Sequence, residues 1–576
     1  MTGEAMKTMK MTIYKALAFI LVAAGLFWKC RYGFAQEDEV FYLTSAYRMC
    51  MGDAPLVQEW GFGPIFSVII YPFVKLHLAF AGVEGMLLHA RYFYTAVVVL
   101  VALFVMWRIS RFDGFAGFVG AVLFMIYAPY SIMALSYNSI AALSLTMALV
   151  TFPFRESGQY LALFLSGLCY ALSCSCNPYL VGLYGIIVIY AYSSKLNDGV
   201  EDAKRQLVVF SLGSAAMALV CFVYFTALAS FGEVVSSLGD SVCASGHPIR
   251  LAFFKEIFMY CRAIAKSAYT APLALLGFVV LFSKFDMGRP PREKMGMYIV
   301  LSLGFEFVYL AGFALPRHWQ NFPYINGVMV PISLLGLSLL PMLGKDASRL
   351  PIVIMLGGMF YSCTIFMMSD NGFRAIAHAM SITMVGAVVV LCALIRRLDT
   401  SSSAIDRIAR YGLLAALSLQ FVITISLRCN LTYREGNIRE QIEYITKGPQ
   451  AGLYVTTEIA KRYNALLDEF KRVEKYPPRA NVYFRSRHLW MMLNGRCNIS
   501  GFSAWIQYFN DENKVILRRF YEKHPEKRPV AVFIDNGRFE WDETPVDDHA
   551  EEWFSQELGM TVVERTENGV WMEKAK

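Results

Sequence analysis

Three consecutive carboxylates, Glu37, Asp38 and Glu39, open a segment in which Val40, Leu43, Tyr47 and Cys50 share one face at helical spacing. Acidic side chains at a helix start are favoured by the backbone dipole, so helix formation alone explains part of the cluster. A carboxylate held at the edge of an apolar face can also act as a general base, taking the proton from a hydroxyl as its oxygen attacks an electrophile. The same stretch, QEDEVFYLTSAYRMCMGDAPLVQEWGFGP, brings Arg48 and Glu59 into the neighbourhood as polar groups able to hold a substrate. A further ionisable group, Glu306, falls inside an apolar run, where it is either functional or protonated and hydrogen-bonded to neighbouring helices.

These residues must be positioned by a membrane protein. Of the 576 residues 56% are apolar and only 17% charged, against about 25% charged in soluble domains, which excludes a water-soluble enzyme. Residues 1–427 hold 30 basic and 22 acidic side chains, whereas the following 149 hold 23 of each. The first part thus has the charge density of a bilayer domain and the second that of a soluble one. The net charge of +8 lies wholly in the first part; basic links between spans set topology there, and nucleic acid is excluded as a partner.

Apolar runs of spanning length lie near 12–28, 86–107, 115–133, 138–153, 160–176, 178–194, 207–230, 268–283, 295–313, 325–343, 350–368, 375–395 and 412–427. Thirteen spans place the termini on opposite sides. The links carrying Lys7, Lys10, Lys15, Arg108, Arg111, Lys284, Arg396, Arg397, Arg407 and Arg410 are then cytoplasmic, as is the N-terminus, and the C-terminal part is external. Residues 64–80 are also apolar, but Pro72, Lys75 and His77 interrupt them and a span there would invert every later loop. They are predicted to form a surface helix, the second of two in a long external loop over 30–85. No small-x-small cleavage site precedes Lys29, Cys30 and Arg31, so the first apolar run is expected to be retained.

Residues 428–576 are expected to form an extracytoplasmic α/β domain, with a helix within 452–473 and strands at 481–484, 530–534 and 561–564. They show no Gly-rich phosphate loop, Ser-His-Asp spacing or Cys-x-x-Cys pair, which suits a structural or docking lid. Cys30, Cys50, Cys243, Cys261, Cys429 and Cys497 fall outside the spans, where disulfides can form. The predicted fold class is a mostly α-helical polytopic membrane protein, residues 1–427 with about 13 transmembrane helices, followed by this α/β domain.

The ordered set of Asp38-Glu39, an aromatic at 41 or 42, Gly52-Asp53 before Pro55, and Gly63-Pro64 opening an amphipathic segment resembles the first external loop of the GT-C glycosyltransferases. Within these it is similar to the branch of the protein O-mannosyltransferases and lipid A aminoarabinose transferases, whose plan of thirteen spans and an outward C-terminal domain it shares. The motif covers about 30 residues and the architecture nearly the whole chain. The resemblance implies transfer of a sugar from a polyprenyl-phosphate donor to a lipid, glycan or protein hydroxyl at the outer face of a membrane, expected to be the bacterial inner membrane, with inversion. Asp38 matches the catalytic Asp and Glu39 its partner. Arg317 and His318, in ALPRHWQNFPYINGVMVP, match the basic segment that contacts the donor phosphate, and Arg48, Glu59, Asn138 and Arg250 join them as substrate-binding candidates. Lys75, His77, Arg91, His247 and Arg374 are further outer-face cations.

Two departures bear on chemistry. Gly63-Pro64 stands where many members have Lys-Pro, and Asn138 in YNS stands where many have a second Asp. Asn cannot serve as a carboxylate, so the reading requires no cofactor, and a divalent metal is not needed by it. A lipid-linked sugar flippase or transporter, or a polysaccharide polymerase or ligase, is the alternative; the loop-bound carboxylates and the absence of repeated broken-helix pairs in the sequence argue against a transporter.

Overall fold

The computed structural model describes residues 3–34, 38–61, 63–128, 132–152, 160–194, 200–244, 253–266, 292–314, 328–343, 350–369, 372–399, 403–432, 436–484, 491–493, 495–502, 511–536 and 549–574. In chain order the first part contains α1 (Gly3–Lys29), α2 (Asp38–Cys50), α3 (Gly63–Ala81), α4 (Met86–Ser110), α5 (Gly114–Ile126), α6 (Tyr137–Thr151), α7 (Tyr160–Cys176), α8 (Gly182–Ser194) and α9 (Val200–Phe225). It continues with α10 (Phe231–Cys243), α11 (Phe253–Lys266), α12 (Arg292–Ala314), α13 (Met329–Leu339), α14 (Leu350–Met368), α15 (Phe373–Ala379), α16 (Ser381–Asp399) and α17 (Ala404–Asn430). Stretches long and apolar enough to cross a bilayer occur in seven described helices, α1, α3, α4, α9, α14, α16 and α17, and six shorter apolar helical stretches accompany them. The chain is an integral membrane protein.

Twelve of the thirteen expected runs coincide with described helices; the run 268–283 lies outside the described residues. Differences have local causes. The run 115–133 stops being helical at Ile126, where Tyr127 turns extended (ψ 139°) two residues before Pro129, whose ring disfavours helical geometry behind it. The run 375–395 is divided at Met380 into α15 and α16.

Small residues let these helices approach closely, the usual basis of packing where no water is displaced. A methyl group added at Gly167 of α7 would strike the Phe210 carbonyl of α9, and one at Gly213 would strike that of Phe164. Around the enclosed α16, Gly336 of α13 lies on Ala387 and Gly358 of α14 lies on Thr383.

The second part contains β1 (Leu431–Thr432), β2 (Gly436–Asn437), β3 (Glu443–Tyr444), β4 (Tyr454–Val455), α18 (Thr457–Glu469), β5 (Asn481–Phe484), β6 (Asn498–Ile499), α19 (Asp511–Lys523), β7 (Ala531–Asp535), α20 (Ala550–Leu558), β8 (Met560–Arg565) and β9 (Gly569–Lys574). Five strands form one sheet in the order β6-β5-β7-β9-β8, parallel from β6 to β7 and antiparallel beyond. β7 is buried on both faces, which explains the apolar run Ala531 to Ile534 that precedes its final Asp535. Phe533 meets Phe470, which follows α18, at 5.1 Å, while Val532 and Ile534 join Phe520 of α19 and Phe554 of α20 on the opposite face.

Several membrane elements end on this domain. Tyr454 N–H donates to the Arg31 carbonyl just after α1 at 2.6 Å, and Gly85 N–H, just before α4, donates to Gly448 at 3.0 Å. At the opposite pole, Lys15 donates to Gly114 at 2.9 Å, Arg396 pairs with Asp113, and Arg410 pairs with Asp399 at 2.5 Å. The segment between α1 and α4 therefore leaves and returns on the side of the α/β domain. A single crossing by α3 would deliver α4 to the wrong pole, although α3 is long and apolar enough to span. Leu78 near the end of α3 packs against Gly495 of the α/β domain, while Gly63 at its start abuts Ser45 and Glu59.

A buried cluster of four charges fixes α2 to that domain. Arg48 pairs with Asp53 at 2.9 Å and with Glu59 at 2.5 Å, and Asp53 also pairs with Lys527, which lies just before β7. Arg48 donates to the Gly501 carbonyl at 2.7 Å, Tyr47 to that of Cys497 at 2.9 Å, and Ser45 to Glu59 at 2.8 Å. Burial pulls the Lys527 ammonium below its ordinary pKa while the Asp53 carboxylate opposes the shift. Trp60, 1% exposed, adds an apolar anchor against Phe520 at a centroid distance of 5.1 Å.

Two outcomes follow from this arrangement. In a background with the exposed Cys261 and Cys429 replaced, Arg31→Cys, Ala81→Cys and Lys461→Cys should react with an impermeant thiol reagent from one side of the membrane and Arg111→Cys from the other; labelling of Ala81→Cys from the side opposite to Arg31→Cys would make α3 a span. Lys527→Met leaves Asp53 buried with its charge half compensated and should cost about 3–5 kcal/mol of stability, while adding Asp53→Asn should restore part of it. Thermal unfolding of the two variants measures this, and a harmless Lys527→Met would show that the cluster does not hold the domain.

Candidate functional site

α2 is a 13-residue helix of which all but the last residue are buried, so its two N-terminal carboxylates have left bulk water and need partners. Glu39, 1% exposed, receives two bonds at one oxygen from Arg91 of α4, from Nε at 2.9 Å and Nη2 at 2.7 Å. Its other oxygen accepts the Met133 N–H at 3.1 Å. Arg91 also donates to the carbonyls of Cys30 at 2.9 Å and Tyr32 at 3.2 Å. One guanidinium therefore joins the end of α1, the start of α2 and α4.

Successive helix residues are rotated by about 100°, so Asp38 is directed differently from Glu39. Asp38 is 8% exposed and its charge bears on the Tyr137 hydroxyl, near which the side chains of Asn138 and Tyr42 lie. Tyr42, Phe66 and Tyr137 form an aromatic wall with ring centroids 5.8 to 6.0 Å apart. Tyr137 and Asn138 open α6 under a capping box, in which Ser136 Oγ accepts the Ser139 N–H at 3.1 Å and Ser139 Oγ accepts the Ser136 N–H at 2.7 Å. The Asn138 carbonyl accepts from Tyr361 of α14 at 2.9 Å, which ties the start of α6 to the bundle.

The structure thus brings Asp38, Glu39 and Asn138 together at the pole that carries the α/β domain. Arg48 and Glu59 stand at the other end of α2, inside the four-charge cluster, with side chains 0% and 3% exposed; their ionic groups serve that junction. Arg250, Arg317, His318 and His247 lie outside the described residues, as does the Arg374 side chain. His77, near the end of α3, meets His89 at 2.8 Å, and Lys75 lies over Tyr71 at 5.4 Å. Glu306 of α12 is fully buried, and neither carboxylate oxygen has a hydrogen-bond partner among the described residues. Cys30, Cys50, Cys261, Cys429 and Cys497 are free thiols.

Sequence reasoning missed Tyr137 and Tyr361. Tyr137 adjoins Asn138 in the YNS string, whereas Tyr361 shows its role only through a contact 223 residues away. Among the described residues no three His, Cys, Asp or Glu side chains converge as metal ligands. An apolar crevice opens between α6, α7, α8, α9 and α14, with Leu145, Leu149, Tyr170, Phe210 and Leu356 in its walls. It begins seven residues beyond Asn138 on α6, about 10 Å deeper in the bundle.

No protein-family model matches the chain, and no curated protein matches it. Solved structures of the oligosaccharyltransferase of Archaeoglobus fulgidus do. One is tethered through a disulfide to an acceptor peptide containing the NVT sequon, with a TM-score of 0.47. Another, of the oligosaccharyltransferase AglB with an inhibitory peptide and a dolichol-phosphate, has a TM-score of 0.45, and the apo form has one of 0.44. Each aligns at 12% identity over 91% of this chain and 69% of its own, a likeness that assigns neither family nor residue roles.

Proposed function

We propose that the chain is a membrane glycosyltransferase of the GT-C kind, moving a sugar from a polyprenyl-phosphate donor to a hydroxyl acceptor at the face that carries the α/β domain. The observation that supports this most is the unequal treatment of two adjacent carboxylates. Glu39 is bound at both oxygens by Arg91 and the Met133 amide, while the charge of Asp38 bears on Tyr137. In this reading Asp38 is the general base and Glu39 positions it by fixing the first turn of α2.

The chemistry is a displacement with inversion. The acceptor oxygen forms a bond to the anomeric carbon, its proton passes to Asp38, and the bond from that carbon to the lipid phosphate oxygen breaks, leaving polyprenyl phosphate. Cations are needed where the leaving phosphate gains charge, and Arg317 and His318 are proposed for this from their place in the sequence. Tyr137 and Asn138 orient the acceptor or sugar by hydrogen bonding. The apolar crevice beyond Asn138 suits a hydrocarbon chain entering from the same pole. The Lys and Arg distribution makes that pole external, with the N-terminus cytoplasmic.

The decisive measurement is release of labelled sugar from polyprenyl-phosphate sugars by purified protein in the presence of membrane extract. Asp38→Asn preserves size and hydrogen bonding but removes the base, so transfer should fall by about 100-fold or more. A carboxylate serving only the helix dipole contributes about 0.3–1 kcal/mol, and its loss would leave turnover intact. Glu39→Gln should retain more activity and lose more stability, since it disrupts a buried ion pair. A well-folded Asp38→Asn protein that transfers sugar at the wild-type rate overturns the assignment of the base.

A further inference from the structure

A second guanidinium shares the neighbours Cys30 and Tyr94 with Glu39, and its Nε finds no hydrogen-bond partner among the described residues. Arg428 belongs to the last turn of α17, is 7% exposed, and so has left bulk water almost entirely. Its Nε is sealed from solvent without a hydrogen-bond partner among the described residues. Its charge bears on Cys30 and on Tyr94 of α4, and both of these also lie within the influence of Glu39. Arg91 is otherwise engaged, by Glu39 and by the carbonyls of Cys30 and Tyr32.

α17 holds Arg428 in place through its polar face. Gln420, Thr424 and Arg428 recur at four-residue intervals and are all buried, one above another on one side of the helix. Gln420 donates to the Val328 carbonyl at 2.9 Å, at the start of α13, and to Thr424 at 3.3 Å. The same helix leads at Leu431 into the α/β domain. A guanidinium at this depth whose Nε has no acceptor among the described residues is disfavoured unless an anion completes the site. An anion with several acceptor oxygens, planar or tetrahedral and presented at the membrane face, fits such a fork.

We infer that Arg428 binds the phosphate of the lipid-linked donor, beside the carboxylates of α2. This rests on the proposed use of a polyprenyl-phosphate donor. The Arg428 fork would donate to the phosphate oxygens in the ground state and strengthen its hold as the bridging oxygen takes up charge on departure. Lys would reproduce the charge without the planar fork.

The test measures binding rather than turnover, with undecaprenyl phosphate, undecaprenol and phosphatidylglycerol as probes of the detergent-solubilised full chain. Wild-type protein should prefer the phosphate to the alcohol, and Arg428→Gln should lower affinity for the phosphate at least about tenfold while leaving affinity for the alcohol unchanged. Arg428→Lys should fall between them, and it carries the test where Arg428→Gln does not fold. Wild-type affinity for the phosphate retained in Arg428→Gln, or in Arg428→Lys where that variant carries the test, overturns the inference. Equal loss toward the alcohol would make Arg428 structural and overturn it too. Wild-type binding of phosphatidylglycerol as tight as that of undecaprenyl phosphate would make Arg428 a general headgroup site, against the inference. Wild-type protein indifferent to the phosphate defeats the donor reading itself, whatever the variants do.

Discussion

Every ionised group on a helix enclosed between an apolar bundle and a folded domain must find a counter-charge, and α2 meets that demand at both ends. At its start Glu39 is matched by Arg91; at its end Arg48 is matched by Asp53 and Glu59, with Lys527 completing a neutral group of four. Removing two ions from water costs several kcal/mol each, so such pairs add little net stability over apolar packing. Their contribution is to orientation. A helix rotated by one residue would place Glu39 and Arg48 against surfaces that lack the opposite charge.

Because the two ends are fixed to different bodies, α2 couples them. Arg91 belongs to α4 in the bundle and Lys527 to the loop before β7, while Trp60 reaches from the following loop into the α/β core. A displacement of the α/β domain relative to the bundle therefore acts on the helix that carries Asp38. The domain contributes no catalytic group to the proposed chemistry, yet it decides where the base stands. This gives physical content to a lid that lacks a catalytic motif of its own.

How much of this was legible in the sequence depends on the range of the interaction. The helical start at Asp38 and the strands β5, β7 and β8 follow from local pattern, and their positions agree with the structure to within a residue or two. The short β9, GVWMEK, was not anticipated: its charged end and single aromatic weaken the strand pattern, and its place is set by pairing with β7 and β8. The acidic cluster supplied the candidate site residues, but nothing local distinguishes Glu39 from Asp38. Their separation depends on Arg91, 52 residues away, and on the rotation between adjacent helix positions. Arg48 and Glu59 read as substrate-binding groups because they lie in the same external loop as Asp38, whereas the cation that completes their cluster is 474 residues from Asp53.

The charge count around the start of α2 connects these points. Glu39 and Arg91 cancel, and the carboxylate of Asp38 and the guanidinium of Arg428 are both buried. On the proposed chemistry a donor phosphodiester enters with one negative charge and aligns with Arg428, while the acceptor proton goes to Asp38. As the acceptor proton reaches Asp38 the carboxylate is neutralised, and the negative charge it loses is regained on the departing phosphate. The total charge of the site does not change; it is displaced from carboxylate to phosphate, toward a cation already in place. In a low-dielectric setting this is the arrangement that requires the least reorganisation during reaction, and it requires that base and cation be held by different helices, as α2 and α17 hold them.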